Sequence, residues 1–210
     1  MRNVRIINGI PSTKSKYGSH YGERIIEFGG ERYREWIPWR SKLSAMILKG
    51  YDIDFRGDER LLYLGASSGT TLSHLADILD EGIIYAVEYS AKPFLKLLKL
   101  ARERENVIPL LCDASKPWLY SGIVEKVDFI YQDVAQRNQV EILKANADFF
   151  LKDGGSFLLM VKAKSIDSTA EPREVFEKVI EKISREFSIL DTGTLEPYHK
   201  DHIFVLGAKV

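Results

Sequence analysis

Apolar and polar positions change period along the chain. From residue 60 onward, short apolar runs alternate with stretches in which apolar residues recur every three or four positions. "RLLYLG" (60–65) leads into "TTLSHLADILD" (70–80), and "GIIYAVEYS" (82–90) into "AKPFLKLLKLARERE" (91–105). "NVIPLLCD" (106–113) leads into a loop, "ASKPWLYSGIVEK" (114–126), before "VDFIYQDV" (127–134) and "NQVEILKANADFFLKDGG" (138–155). "SFLLMVK" (156–162) is followed by "TAEPREVFEKVIEKISREF" (169–187), and the chain ends with "SILDTGTLEP" (188–197) and "HIFVLGAKV" (202–210). Strands that are apolar almost throughout, alternating with helices, predict a parallel sheet covered on both faces.

The last two strand-like pieces are separated only by "YHKD" (198–201). So short a link admits no crossover helix, so they must pair antiparallel. Seven strands, mostly parallel and doubly wound with an antiparallel C-terminal hairpin, form the α/β layout of the nucleoside-binding methyltransferase sheet. Residues 1–55 follow a different pattern, with β-favouring pieces "NVRIING", "ERIIEFG" and "ERYREWIPW" set between polar and Gly-rich turns. They predict a small, mostly antiparallel N-terminal domain. "SKLSAMILKG" then reads as a short amphipathic helix stopping at Gly50, and the main domain is placed at 56–210.

Composition adds exclusions. With 45% apolar residues in 210, the chain can bury a substantial core. Its longest apolar runs are strand-sized, and its first residues lack the apolar centre of a secretion signal, which points to a soluble, cytoplasmic protein with no membrane partner. The lone Cys112 forms no internal disulfide, belongs to no metal-ligand cluster, and is expected to be a buried structural thiol. Thirty basic and thirty acidic residues cancel. Such a chain does not grip nucleic acid by its overall field, so if RNA is the substrate, other components supply much of the affinity.

The candidate chemistry begins at "LGASSGTT" (64–71). Its glycines, Gly65 and Gly69, match neither the dinucleotide fingerprint nor the P-loop, which needs G-K-[ST] at its end. Small residues, Ala66 among them, still let a backbone approach a ligand. Thr70 and Thr71 place hydroxyls and unpaired amides at the start of a helix, where an anionic group such as a carboxylate is well met. Glu88, nineteen residues beyond Gly69, stands at the end of the next strand, where a carboxylate can take two ribose hydroxyls. Asp113 and Asp133 end the third and fourth strands, so acidic residues recur along the edge where open α/β sheets bind ligands. A carboxylate on the loop, a ribose on Glu88 and an adenine near Asp113 describe S-adenosylmethionine better than a nicotinamide dinucleotide. An NAD-dependent oxidoreductase would want the regular glycine spacing and a Tyr–Lys pair on one helix, and neither is present.

The strings "YLGASSGTTLSHLADIL", "YAVEYS", "DVAQRNQ" and "LLMVKAKSID", with "ERYREWIPWRSKLSAMILKG" before them, closely resemble fibrillarin over essentially the whole chain, in its compact form without a Gly/Arg-rich tail. The resemblance implies an S-adenosylmethionine-dependent RNA 2′-O-methyltransferase directed by box C/D guide RNA to rRNA or tRNA targets. It implies a Nop-domain scaffold protein and a kink-turn-binding protein as partners. It implies cofactor contacts at Thr70 and Thr71, at Glu88 and Tyr89, at Asp113 and Ala114, and along Asp133, Val134, Ala135 and Gln136. A catalytic group of Lys42, Asp133, Lys162 and His202 is likewise implied. Taken singly, Lys42 is an ordinary helix-surface lysine, Lys162 a strand-end lysine and His202 a surface histidine. An ammonium is a poor base at neutral pH, although burial and a neighbouring cation favour its neutral form. On this basis Lys162 is expected to accept or steer the hydroxyl proton beside Lys42, with Asp133 holding Lys162 and His202 orienting the ribose or relaying the proton. Trp36 and Trp39 are candidates either for a protein interface or for packing between the two domains.

Overall fold

A computed structural model describes residues 1–210. Its N-terminal part forms four strands, β1 (Val4–Ile7), β2 (Ile10–Lys14), β3 (Ile25–Phe28) and β4 (Glu31–Glu35), paired antiparallel in the order β1-β2-β4-β3. The two hairpins turn at Asn8–Gly9 and Gly29–Gly30, all four with positive φ, the turn geometry that matches the twist of paired strands. Strand β2, "IPSTK", has no apolar alternation to announce it. Its Ser12 and Thr13 are nevertheless fully buried. A 3₁₀ turn at Pro38–Arg40 and the helix α1 (Lys42–Leu48) follow, with Ser41 capping α1 by accepting from the Ser44 amide and Gly50 at φ 91 beyond its end.

The second sheet contains β5 (Arg60–Leu64), β6 (Ile83–Glu88), β7 (Val107–Leu111), β8 (Val127–Gln132), β9 (Leu151–Lys162), β10 (Phe187–Thr194) and β11 (His202–Lys209). Their spatial order is β10-β11-β9-β8-β5-β6-β7, parallel except for β11, which runs antiparallel to both β9 and β10. The seven-stranded sheet with its C-terminal hairpin is therefore as the spacing predicts. Helices α2 (Thr70–Ile78), α3 (Ala91–Glu103), α4 (Gln139–Phe150), the single turn α5 (Ala163–Ile166) and α6 (Pro172–Ser184) complete the chain. The segment "LKDGG", expected to end the fourth helix, instead opens β9, because the backbone turns extended at Leu151 without a loop.

Alternate residues of β5 enter opposite cores. Leu61 and Tyr63 join Leu72, Leu75, Leu97 and Leu100 under α2 and α3, whereas Leu62 and Leu64 join Leu143, Val179 and Ile183 under α4 and α6. Helix α2 is unusual in being buried all the way round, from Thr71 to its end. The N-terminal sheet covers its outer face, and a polar network fills the seam. Asp77 accepts from Arg34 and Arg104 at 2.7 Å each and from Thr13 and Ser15 at 3.2 and 2.9 Å, and Arg34 also meets Glu23. His74 is stacked on Trp36, bonded through Nδ1 to Thr13 and through Nε2 to Tyr21. Burial, reinforced by the charges of Arg34 and Arg104, holds His74 neutral, well below its ordinary pKa. No helix is long and apolar enough to cross a membrane.

Candidate active site

The connections leave β5 in one direction, to β6 and β7, and return to β8 on its other side. Such a reversal opens a crevice at the carboxyl ends of the two strands. Gly65 ends one wall and Asp133 the other. The Asp133 amide donates to the Leu64 carbonyl at 2.9 Å, and a Cβ on Gly65 would stand 2.5 Å from the Asp133 carbonyl oxygen and 3.1 Å from a Val134 methyl. Gly65 also has φ 82, which side chains rarely adopt. Gly65→Ala is therefore expected to cost more than about 1 kcal/mol of stability and to weaken nucleoside binding at least tenfold, read by thermal melting with and without ligand. Unchanged binding would show that the close approach of the two walls is not needed.

Beyond Gly65 the loop is held from three directions. Gly65 and Ala66 donate to the Val87 carbonyl, and the Ser67 amide donates to Glu88 Oε2 at 2.8 Å. The other Glu88 oxygen takes the Ser90 amide at 2.7 Å, so this buried carboxylate is fixed between two loops and retains lone pairs for ribose hydroxyls. From the N-terminal part, His20 Nε2 donates to the Ser68 carbonyl at 3.0 Å, a support that a lone polar histidine in a turn-rich segment does not advertise. At α2 the first amide to reach a backbone carbonyl is that of Ser73, on Gly69, which leaves the amides of Thr70, Thr71 and Leu72 as donors at the helix N-terminus. The Thr71 hydroxyl is not among the free groups, since it lies 2.9 Å from Ser41 Oγ. Thr70 is half-buried.

Tyr89 is exposed beside Glu88, a ring free to cover a planar ligand. Asp113 Oδ1 accepts both the amide and the hydroxyl of Ser115; burial opposes the charge, but these two bonds outweigh it and hold the Asp113 pKa below the ordinary carboxylate value. Ala114 is buried behind it. The segment Val134, Ala135 and Gln136 runs from the end of β8 toward α4, with the Gln136 carbonyl accepting from the Gln139 side chain at 3.3 Å.

The four residues assigned to catalysis arrive from four elements. Lys42, the first residue of α1, places Nζ 2.7 Å from each Asp133 oxygen. Asp133 is thus joined to Lys42 and not to Lys162, the partner expected from the sequence. The physical reason is that the N-terminal part lays the start of α1 against the β8 edge, and Ser41–Thr71 pins it there. Lys162 ends β9 directly opposite His202 in the β9–β11 register; it is exposed and forms no ion pair. His202 Nδ1 must carry hydrogen to bond the Lys200 carbonyl at 2.6 Å, which leaves Nε2 as an acceptor. Burial keeps the His202 pKa below its ordinary value, against the pull of that carbonyl and with help from the Lys42 charge. His199 is a further residue without any sequence signal. It lies 5.8 Å from the His202 ring and bonds the Pro38 carbonyl at 2.8 Å, tying the loop before β11 to the turn before Lys42.

The crevice therefore offers helix-terminal amides, a fixed carboxylate and an exposed aromatic ring for a nucleoside. At its lip are a lysine–aspartate pair, an unpaired lysine and a neutral imidazole. Comparison with known proteins gives the family. The fibrillarin family model matches residues 9–210. A fibrillarin-like rRNA/tRNA 2′-O-methyltransferase of Archaeoglobus fulgidus is 69% identical over 205 residues, covering 98% of this chain and 96% of the relative. The protein of the same description from Methanocaldococcus jannaschii is 51% identical, covering 89% and 82%. Among solved structures, a fibrillarin/Nop5p complex contains a chain that superposes with TM-score 0.95 at 68% identity, covering 100% of this chain and 99% of that one. Aeropyrum pernix fibrillarin, solved with natively bound S-adenosyl-L-methionine, superposes with TM-score 0.86 at 42% identity, covering 97% and 92%. On the strength of the matched span and these identities, the chain belongs to the fibrillarin family.

Proposed function

We propose that this chain transfers the methyl group of S-adenosylmethionine to a ribose 2′-hydroxyl of rRNA or tRNA, as the catalytic subunit of a box C/D RNA-guided particle. The observation that carries the proposal is the pairing of Lys42 with Asp133 at the carboxyl end of β8, on the same sheet edge where the buried Glu88 carboxylate is held by the Ser67 and Ser90 amides. The residues present fit the cofactor. The amides of Thr70 to Leu72 suit its carboxylate, Glu88 its ribose, and Tyr89, Asp113 and Ala114 its adenine.

The cofactor supplies a methyl carbon bonded to a positively charged sulfur. The protein's part is to align an attacking oxygen in line with that carbon and to receive a proton. Alignment alone contributes several kcal/mol. His202, neutral and with Nε2 bare, accepts the hydroxyl proton, and Lys162, opposite it in the sheet, steers the ribose oxygen. The Lys42–Asp133 pair fixes the wall against which the ribose rests. Residues 56–210 act as the methyltransferase unit, and residues 1–55 complete its site by delivering Lys42 and His20.

A protein with no net charge needs other components to hold RNA. A Nop-domain scaffold, supported by the Nop5p-bound relative, belongs to the same proposal, as do a kink-turn-binding protein, the guide RNA and a cytoplasmic setting. The test is radiolabelled methyl transfer to a target RNA with the scaffold, the kink-turn protein and the guide each omitted in turn. Transfer that requires all three is the expected result. Efficient transfer to free RNA, or none from the complete mixture, would overturn the proposal.

A further inference from the structure

The two tryptophans of "EWIPW" meet opposite fates. Trp36 is fully buried against His74, whereas Trp39 is 61% exposed. Trp39 lies in the 3₁₀ turn that delivers Lys42, and its indole packs edge-on against Tyr198 at 4.9 Å between centroids. Tyr198 belongs to the loop that delivers His202. That loop is tied down at three points: Tyr198 and His199 donate to the Leu195 carbonyl, His199 bonds Pro38, and Lys49 donates to the Glu196 carbonyl at 2.6 Å. The aromatic pair is therefore a rigid ledge joining the two segments that carry Lys42 and His202.

Cations flank the ledge on both segments, with Glu196 the exposed carboxylate of the same loop. Arg40, next to Trp39, and Lys200, two residues from Tyr198, are exposed and have no carboxylate partner, and Arg40 is braced by the Tyr21 ring and carbonyl. Unpaired cations beside an exposed indole match the two parts of an RNA strand, phosphates and base faces. They do not match an apolar protein surface, against which free charges would lose hydration without compensation.

Resting on the function proposed above, we infer that Trp39, backed by Tyr198, is the stacking ledge for a base of the target strand next to the methylated ribose. Trp39 is then a positioning residue: it holds the strand so that the 2′-hydroxyl lies between His202 and the methyl donor.

The test uses the complete particle with a target RNA carrying 2-aminopurine next to the methylated nucleotide. Trp39→Ala is expected to raise the half-saturating target concentration about tenfold, in line with about 1–3 kcal/mol per stacked base, and to abolish the quenching of 2-aminopurine on binding. S-adenosylmethionine affinity and assembly with the scaffold are expected to stay at wild-type values, and Trp39→Phe to restore most of the target affinity. Unchanged quenching and half-saturation in Trp39→Ala would overturn the inference, as would a defect confined to scaffold assembly, which would make the ledge a protein contact. Failure of the wild-type particle to methylate at all would instead count against the proposed function.

Discussion

Asp133→Asn is expected to slow single-turnover methyl transfer by on the order of a hundred- to a thousandfold, with cofactor affinity reduced far less. The carboxylate accepts Lys42 Nζ through both oxygens at 2.7 Å, which fixes one ammonium in one place at the lip of the crevice. An amide can accept through one oxygen only and carries no charge. Lys42 is then free to swing into solvent, and the wall that positions the ribose loses its shape. Misplacement of a reacting group by a small distance is costly on this scale. Lys42→Met is expected to produce a loss of similar size, because it removes the other half of the same pair. The double variant should be scarcely worse than either single one, since residues that act as a unit are not additive. Rapid-quench measurement at saturating RNA and cofactor checks this. Multiplying losses would mean that the two side chains work independently and that the ion pair is incidental.

The largest effect on stability is expected at Asp77, which is outside the proposed catalytic group. Asp77 is 4% exposed and is the shared counter-charge of two buried guanidiniums, Arg34 and Arg104. Asp77→Asn leaves one of the two buried cations uncompensated, which typically costs about 3–5 kcal/mol. For a chain of this size that corresponds to a fall in Tm of roughly 6–20 °C. Removing the surplus charge at the same time, as in Asp77→Asn with Arg104→Met, is expected to recover part of the loss. Thermal and denaturant melts of the three variants decide the matter. A single variant within about 1 kcal/mol of the wild type would mean that water or rearrangement replaces the carboxylate. Because the network joins β2 and β4 to α2, and His20 of the same N-terminal part bonds the glycine loop, the destabilised protein should also bind cofactor more weakly.

Much of the fold is legible from periodicity. The parallel strands are buried on both faces, so their apolar runs stand out, and the short "YHKD" link dictates an antiparallel end. Glu88, Asp113 and Asp133 are visible as carboxylates at strand ends because that edge is set by chain direction alone. Strand β2 is not visible, since its buried positions are Pro11, Ser12 and Thr13, of which Thr13 meets His74 and Asp77 and does not fill an apolar core. The polar stripe Ser73, His74 and Asp77 on α2 reads locally as a solvent face for the same reason, yet the N-terminal sheet closes over it.

The proposed catalytic lip shows the same division. Lys42, Lys162 and His202 carry no local pattern, and only resemblance to a family singles them out. Which acid meets which base is a matter of how separate elements are laid together: Asp133 takes Lys42 because α1 is pinned by Ser41–Thr71, and His202 faces Lys162 because β11 enters the sheet beside β9. From sequence alone, this protein's chain order, strand direction, glycine loop and edge carboxylates were determined, because each depends on neighbours a few residues away. The Lys42–Asp133 pair, the Asp77 network, the opposite fates of Trp36 and Trp39 and the burial of α2 were decided only by tertiary structure, because each depends on groups brought together from tens of residues apart.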